Sequence, residues 1–142
     1  AMNIVSQSPQ ETEKIAGEIT GRVKNGGIIC LFGDLGSGKT VFTRGIAEKL
    51  KINKFSIKSP TYTYIRNYTY KKAKLYHIDL YRLEEIDELL WQEIRELMEN
   101  QKNILIIEWA DKLGDKIPDK RIDVFMKYID ENKRKILIKA HD

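Results

Sequence analysis

The sequence predicts an α/β fold: one mixed sheet with a parallel centre, antiparallel strands at its edges and helices on both faces. Three observations carry that reading. Residues 28–32 (IICLF) and 104–107 (ILII) are apolar at every position, as strands buried on both faces of a parallel sheet are. Other segments repeat apolar residues at helical spacing, among them Ile15, Ile19 and Val23, and Phe42, Ile46 and Leu50. Near the end, Ile122, Val124, Met126 and Tyr128 alternate with polar residues, and the chain turns back at Asp130-Glu131-Asn132, the pattern of an antiparallel pair. At 142 residues the chain is read as one domain over 1–142, large enough for its own core, with Ala1 ahead of Met2 as an expression remnant.

Taken in order, Ile4 and Val5 suit a short first strand. Ser8-Pro9 starts a helix: a capping hydroxyl precedes proline at the first helical position, where its missing N–H costs nothing. That helix runs to the stop at Gly26-Gly27. Residues 28–32 form the central strand, followed by a glycine loop and a helix carrying Val41, Phe42, Ile46 and Leu50. A basic connection over 51–60 holds one short strand at 55–57. Residues 61–67 and 75–80, rich in Tyr, Thr and Ile, predict a hairpin about a turn at 70–72. Residues 83–100 predict an acidic amphipathic helix that could break near Trp91. The strand at 104–107 ends in Glu108, and after a loop through Pro118 come the final strands at 122–128 and 135–140.

The loop between central strand and helix is Gly33-Asp34-Leu35-Gly36-Ser37-Gly38-Lys39-Thr40, which fits G-x-x-x-x-G-K-[ST]. Average residue usage produces this pattern by accident in about one chain of this length in two hundred, and the flanking strand and helix lower that further. Its glycines let successive backbone N–H groups converge on phosphate oxygens. The helix N-terminus adds the positive end of its dipole. Lys39 can reach β- and γ-phosphates, and the Thr40 hydroxyl is placed to ligate Mg²⁺. The loop therefore predicts a nucleotide site.

No apolar run approaches the ~20 residues of a membrane span, and a cytoplasmic protein without a membrane role is expected. The lone Cys30 lies in the central strand and reads as a small buried hydrophobe. Net charge is +4, but seven basic and no acidic residues lie between Lys51 and Lys74, whereas seven acids face Arg95 alone between Glu84 and Glu99. Such polarity suits oriented docking to a partner.

Hydrolysis needs acids beside the metal and the attacking water. Glu108 ends an apolar strand, where such proteins hold Mg²⁺, usually through water. Asp79, in His77-Ile78-Asp79-Leu80-Tyr81-Arg82, is a second candidate, equally readable as a surface acid. Ser59-Pro60-Thr61 could sense a γ-phosphate or could be a proline-fixed turn. Trp109 could be core or could present its ring near the site. His77 has no visible metal partner and His141 sits in the tail, so both read as structural or exposed. No arginine is obviously poised at the phosphates, Arg44 and Arg82 being weak candidates. Guanine recognition fails: Asp111-Lys112-Leu113-Gly114 fits D-x-x-G, but after Asn53-Lys54 the required acid is replaced by Ser56.

These pieces resemble the TsaE (YjeE) family of small bacterial P-loop ATPases over nearly the whole length. The likeness runs through Glu11-Thr12, the loop at 33–40 with Phe42, Arg44 and Gly45, Ser59-Pro60-Thr61, the segment from His77 to Arg82, and Glu108-Trp109. It departs at Ser37, where alanine is common, at Tyr62 in place of phenylalanine, and at Ala110-Asp111, where proline is frequent. The resemblance implies the P-loop NTPase fold and a weak, partner-activated ATPase with ATP and Mg²⁺ as cofactors. Such an ATPase would be accessory to TsaB and TsaD in making threonylcarbamoyladenosine at position 37 of tRNA, with tRNA contacted indirectly. It further implies that Lys39 and Thr40 bind phosphate and metal, that Glu108 joins the metal shell and that Asp79 contacts nucleotide or water. By the same likeness Thr12 and Arg134 lie near the adenine; Ser59, Thr61 and Trp109 are read from the residues themselves as candidate switch or partner contacts. Two other functions are compatible with the loop: a small kinase of a metabolite or nucleotide, and an RNA-binding ATPase module using the basic, tyrosine-rich stretch 51–74.

Overall fold

The computed structural model describes residues 1–57, 64–70 and 73–141. Ser59, Thr61 and the hairpin turn at Lys71 and Lys72 lie outside them. Seven strands, β1 (Met2–Ser6), β2 (Gly27–Phe32), β3 (Ile65–Tyr70), β4 (Ala73–Asp79), β5 (Ile104–Glu108), β6 (Arg121–Tyr128) and β7 (Arg134–His141), form one sheet in the order β1-β7-β6-β2-β5-β4-β3. The central strands β6, β2, β5 and β4 are parallel, while β7, β1 and β3 add antiparallel edges. This is the predicted fold class.

The pleat sorts the apolar central strands into two cores. Ile29 and Leu31 of β2, with Ile104 and Ile106 of β5, face α1 (Pro9–Thr20) and α2 (Lys39–Lys49) in a core that includes Ile15, Ile19, Phe42 and Ile46. Cys30, Leu105 and Ile107 point the other way and pack with Ile94 of α3 (Glu88–Glu99). Burial from both sides is why these strands show no alternation in sequence. It also pushes the Cys30 thiol up to about 12, with Asp123 as the lesser cause, so the sulfur is an inert hydrophobe.

Local chemistry sets the helix ends. Ser8 caps α1 by accepting from the Glu11 N–H at 3.1 Å, with Pro9 in the first turn. Gly45 lets α1 and α2 touch: a Cβ there would stand 2.5 Å from the Glu13 carbonyl and 2.8 Å from Ala16 Cβ.

Several elements differ from the sequence reading, among them β3 at Ile65–Tyr70 and β4 at Ala73–Asp79 against the expected 61–67 and 75–80, of which 61–63 lie outside the described residues. Residues 54–56 form a 3-10 turn, not a strand at 55–57, because the Asn53 side chain accepts from the Phe55 N–H at 3.0 Å and winds the chain. α3 starts at Glu88, where Asp87 caps it by accepting from the Leu90 N–H at 2.8 Å. Leu83 and Ile86 still pack on the second core from the preceding loop, which explains the apparent helical periodicity there. The helix runs through Trp91 without a break. α1 ends at Thr20, and residues 21–25 continue as turns. Among the described residues no helix is long and apolar enough to cross a membrane.

Candidate active site

The site lies where β2, β4 and β5 end. From β2 the chain enters the loop, and Gly38 takes φ 103° as the residue capping α2. The loop is closed partly by the Ser37 N–H donating to the Asp34 carbonyl at 3.1 Å. No side chain caps the α2 N-terminus among the described residues, and the first turn holds no acid. An anion is the natural complement to such a helix end.

Lys39, the first residue of α2, is only 7% exposed. Its ammonium donates to the Gly33 carbonyl at 2.6 Å, stands 3.5 Å from Glu108 Oε1 and lies 4.8 Å above the Trp109 ring. Trp109 is placed there by a left-handed backbone, φ 59° and ψ 40°, a conformation costing roughly 1–2 kcal/mol for an L-residue with a Cβ. Its ring also packs tilted against Tyr81 at 5.1 Å.

Both predicted acids converge on this point. β4 and β5 are parallel with Asp79 opposite Glu108, which sets the carboxyl-bearing residues side by side at the strand ends. Glu108 is buried and His77 Nε2 lies 2.5 Å from its Oε2. Burial by itself would raise the Glu108 pKa, but the bond and charge of His77, with Lys39, outweigh it and hold the carboxyl below its ordinary range. Asp79 is half-buried and accepts from the Tyr81 N–H at 3.0 Å. Its pKa is raised, first by burial and then by the Glu108 charge. Two adjacent acids are thus pushed apart, one ionised and one more basic, the arrangement by which acid–base roles are divided.

Above them opens a cleft of about 490 Å³ lined by Gly36, Gly38, Lys39, Thr40, Asp79, Glu108, Trp109 and Arg134, with Leu35, Val41, Tyr64, Tyr81 and Arg82 around it. Its size suits a nucleotide. Arg134 enters from β7: its Cγ would stand 3.5 Å from a Cβ on Gly38, and its guanidinium lies 4.7 Å from the Tyr128 ring centroid. The buried Nε of Arg134 finds no hydrogen-bond partner among the described residues. Gly33 and Asp34 line a smaller adjoining hollow of about 220 Å³ with Phe32, Trp109 and Asp111. Thr12 lines neither space; its hydroxyl is buried 2.7 Å from that of Ser6. Ser37 is buried within the loop.

The donor set fits a magnesium–nucleotide. A buried ammonium and an uncapped helix N-terminus suit phosphates. One hydroxyl, Thr40, and one carboxylate, Glu108, suit a hard cation that keeps waters and phosphate oxygens as its other ligands. Among the described residues no cluster of three His, Cys, Asp or Glu could hold a metal without such help.

Two contributors escaped the sequence reading. His77 shares a strand face with Asp79 by the two-residue repeat, a signal that becomes useful only once β4 is paired with β5. Lys112 donates to the Tyr81 carbonyl at 2.7 Å and also to that of Leu83, fastening the loop after Glu108 to the segment after Asp79. Nothing in local sequence announces that link.

The family model for the threonylcarbamoyl adenosine biosynthesis protein TsaE matches residues 6–136. A protein from Aquifex aeolicus (strain VF5) described as tRNA threonylcarbamoyladenosine biosynthesis protein TsaE is 36% identical over 140 residues, covering 95% of this chain and 93% of that one. A protein of the same description from Bacillus subtilis (strain 168) is 36% identical over 133 residues, covering 94% and 82%. The crystal structure of Bacillus subtilis YdiB superposes with a TM-score of 0.79 at 30% identity, covering 99% of this chain and 86% of that one.

Proposed function

The chain belongs to the TsaE family of threonylcarbamoyladenosine biosynthesis proteins, and from that premise we propose that it is a Mg·ATP-dependent ATPase. It would act as accessory to the TsaB–TsaD threonylcarbamoyl transferase in modifying tRNA at position 37. The observation that carries the ATPase reading is the Lys39 ammonium, buried at the mouth of an uncapped helix and shared between the Gly33 carbonyl and Glu108. A buried cation that leans on its own loop is poised to exchange those oxygens for phosphate oxygens.

In this reading the α2 N-terminus and Lys39 hold the phosphates, and Thr40 and Glu108 hold the metal, Glu108 through water. Magnesium, when bound, neutralises charge across the phosphate oxygens. Asp79, the more basic of the two acids, orients the attacking water and accepts its proton. Arg134, with an unengaged Nε at the cleft wall, contacts the nucleotide on its base or ribose side. Thr12, held against Ser6 outside the cleft lining, supports the first turn of α1. The rim of Leu35, Tyr64 and Tyr81 exposes apolar surface around the cleft mouth, where a docking partner could exclude water and complete the site.

The test is ATP turnover by the purified protein alone and with TsaB and TsaD. Low turnover that rises severalfold with the partners, together with loss of tRNA modification when this chain is omitted, is the expected result. Turnover indifferent to the partners would overturn the accessory role, and absence of Mg·ATP binding would overturn the ATPase itself.

A further inference from the structure

We propose that His77 is a positioning residue, fixing the Glu108 carboxylate so that one oxygen is held by the protein and the other faces the cleft for the metal's water shell. The inference rests on the reading of Glu108 as the acid beside the metal.

His77 sits within β4 with its side chain fully buried, and its Nε2 is 2.5 Å from Glu108 Oε2. To donate to a carboxylate, Nε2 must carry the hydrogen, which leaves Nδ1 as the other ring atom to be satisfied. Nδ1 is buried and has no hydrogen-bond partner among the described residues. A buried polar atom without a partner is costly, so the imidazole has its place on this strand through the one bond that it makes, to Glu108. Leu75 and Ile78, on the same strand, are fully buried apolar residues.

What the imidazole supplies is orientation. Glu108 Oε1 has only Lys39 near it, at 3.5 Å, longer than a strong charged hydrogen bond. When Lys39 turns to phosphate, that oxygen is released toward the cleft. The His77 bond then decides where the carboxylate points. Partners of this kind, one layer behind a metal's ligands, typically govern metal affinity by 10–100-fold. The two-residue repeat of β4 puts His77 and Asp79 on one face, so a single strand delivers both the holder of Glu108 and the proposed base.

The test compares wild type with His77→Leu and His77→Gln, reading the affinity for a fluorescent ATP analogue across a Mg²⁺ titration and, separately, the melting temperature. For His77→Leu the expected result is metal-free nucleotide affinity within about twofold of wild type and a Mg²⁺ requirement raised about tenfold or more. Its melting temperature should fall, since the buried Glu108 carboxylate loses its partner, and that loss is read separately from the Mg²⁺ response. Glutamine places an amide nitrogen close to the Nε2 position, and His77→Gln should recover most of the Mg²⁺ response. A His77→Leu protein with the wild-type Mg²⁺ requirement would overturn the proposal. So would a folded His77→Gln protein no better than His77→Leu. Should His77→Leu fail to fold, His77→Asn replaces it: too short to reach Glu108, it must raise the Mg²⁺ requirement while His77→Gln does not. Wild-type protein whose nucleotide affinity ignores Mg²⁺ would remove the underlying reading of Glu108 along with the proposal, a result distinct from a failure confined to the variants.

Discussion

Glu108 and Asp123 are two buried carboxylates on parallel strands, each 4% exposed and each held by one histidine and one cation. They flank β2 at nearly the same level, Glu108 in register with Leu31 and Asp123 with Cys30, but on opposite faces of the sheet, and end up in different conditions. Asp123, near the start of β6, accepts from Arg121 Nε at 2.9 Å with one oxygen and meets His141 Nε2 at 2.8 Å with the other. Arg121 is itself anchored to the Pro118 carbonyl at 2.8 Å. Both oxygens are saturated by partners that have no second task. Glu108, at the end of β5, has one oxygen firmly bonded to His77 and the other only 3.5 Å from Lys39, a cation that is also bonded to the phosphate-loop carbonyl of Gly33. The same three chemical types therefore build a closed strut on one face and an acid with an oxygen in reserve on the other. Burial and charge pairing do not by themselves mark a working carboxylate; unspent hydrogen-bonding capacity beside a cleft does.

That contrast can be broken most severely at Lys39. Lys39→Ala is expected to lower Mg·ATP turnover by about 10³-fold, since it removes a charge aimed at the transferred phosphoryl group, with weaker nucleotide binding in a direct titration. Asp79→Ala should lower turnover by about 10²-fold, the contribution of a positioned base, with nucleotide affinity nearly intact. Turnover and binding measured on the same preparation separate the two variants. On the other face, Asp123→Ala is expected to cost about 2 kcal/mol of stability by chemical denaturation, because it strands the partly buried Arg121, and to leave turnover per folded molecule unchanged.

The smallest expected effect is on acid stability. The Glu108 pKa lies below its unfolded value, so ionised Glu108 contributes stability above the ordinary glutamate range, and that contribution fades as pH falls through the lowered value. The stability difference between wild type and Glu108→Gln should therefore shrink on acidification across that window. Asp79 is shifted the other way, so the acid limb of the turnover profile should sit above the ordinary aspartate range. Denaturation and turnover series over pH check both signs.

The parts of this contrast that could be read from sequence are the local ones. The strand–loop–helix from β2 to α2 follows from contiguous residues whose types admit few other arrangements, and Glu108 is marked by the apolar run before it. The His77–Glu108 bond joins residues 31 apart on two strands, and only the parallel register that pairs His77 with Ile106 and Asp79 with Glu108 makes it visible. The Asp123 strut likewise needs β6 and β7 paired, with Asp123 opposite Lys139 and Arg121 opposite His141. Phe55 shows the limit of propensity. Its β preference is overridden by one side-chain hydrogen bond from its own backbone to Asn53, which no periodicity reports. Leu83 and Ile86 mark the opposite error: apolar spacing that imitates a helix because a loop packs on the core.

The central claim is that Glu108 is the working acid and Asp123 the structural one. Its most direct test is ATP turnover in the presence of TsaB and TsaD for Glu108→Gln and Asp123→Asn, each normalised to folded protein. The account predicts that Glu108→Gln loses nearly all Mg²⁺-dependent turnover whereas Asp123→Asn stays within twofold of wild type. Comparable losses in both variants, or a Glu108→Gln protein that hydrolyses ATP normally, would contradict it.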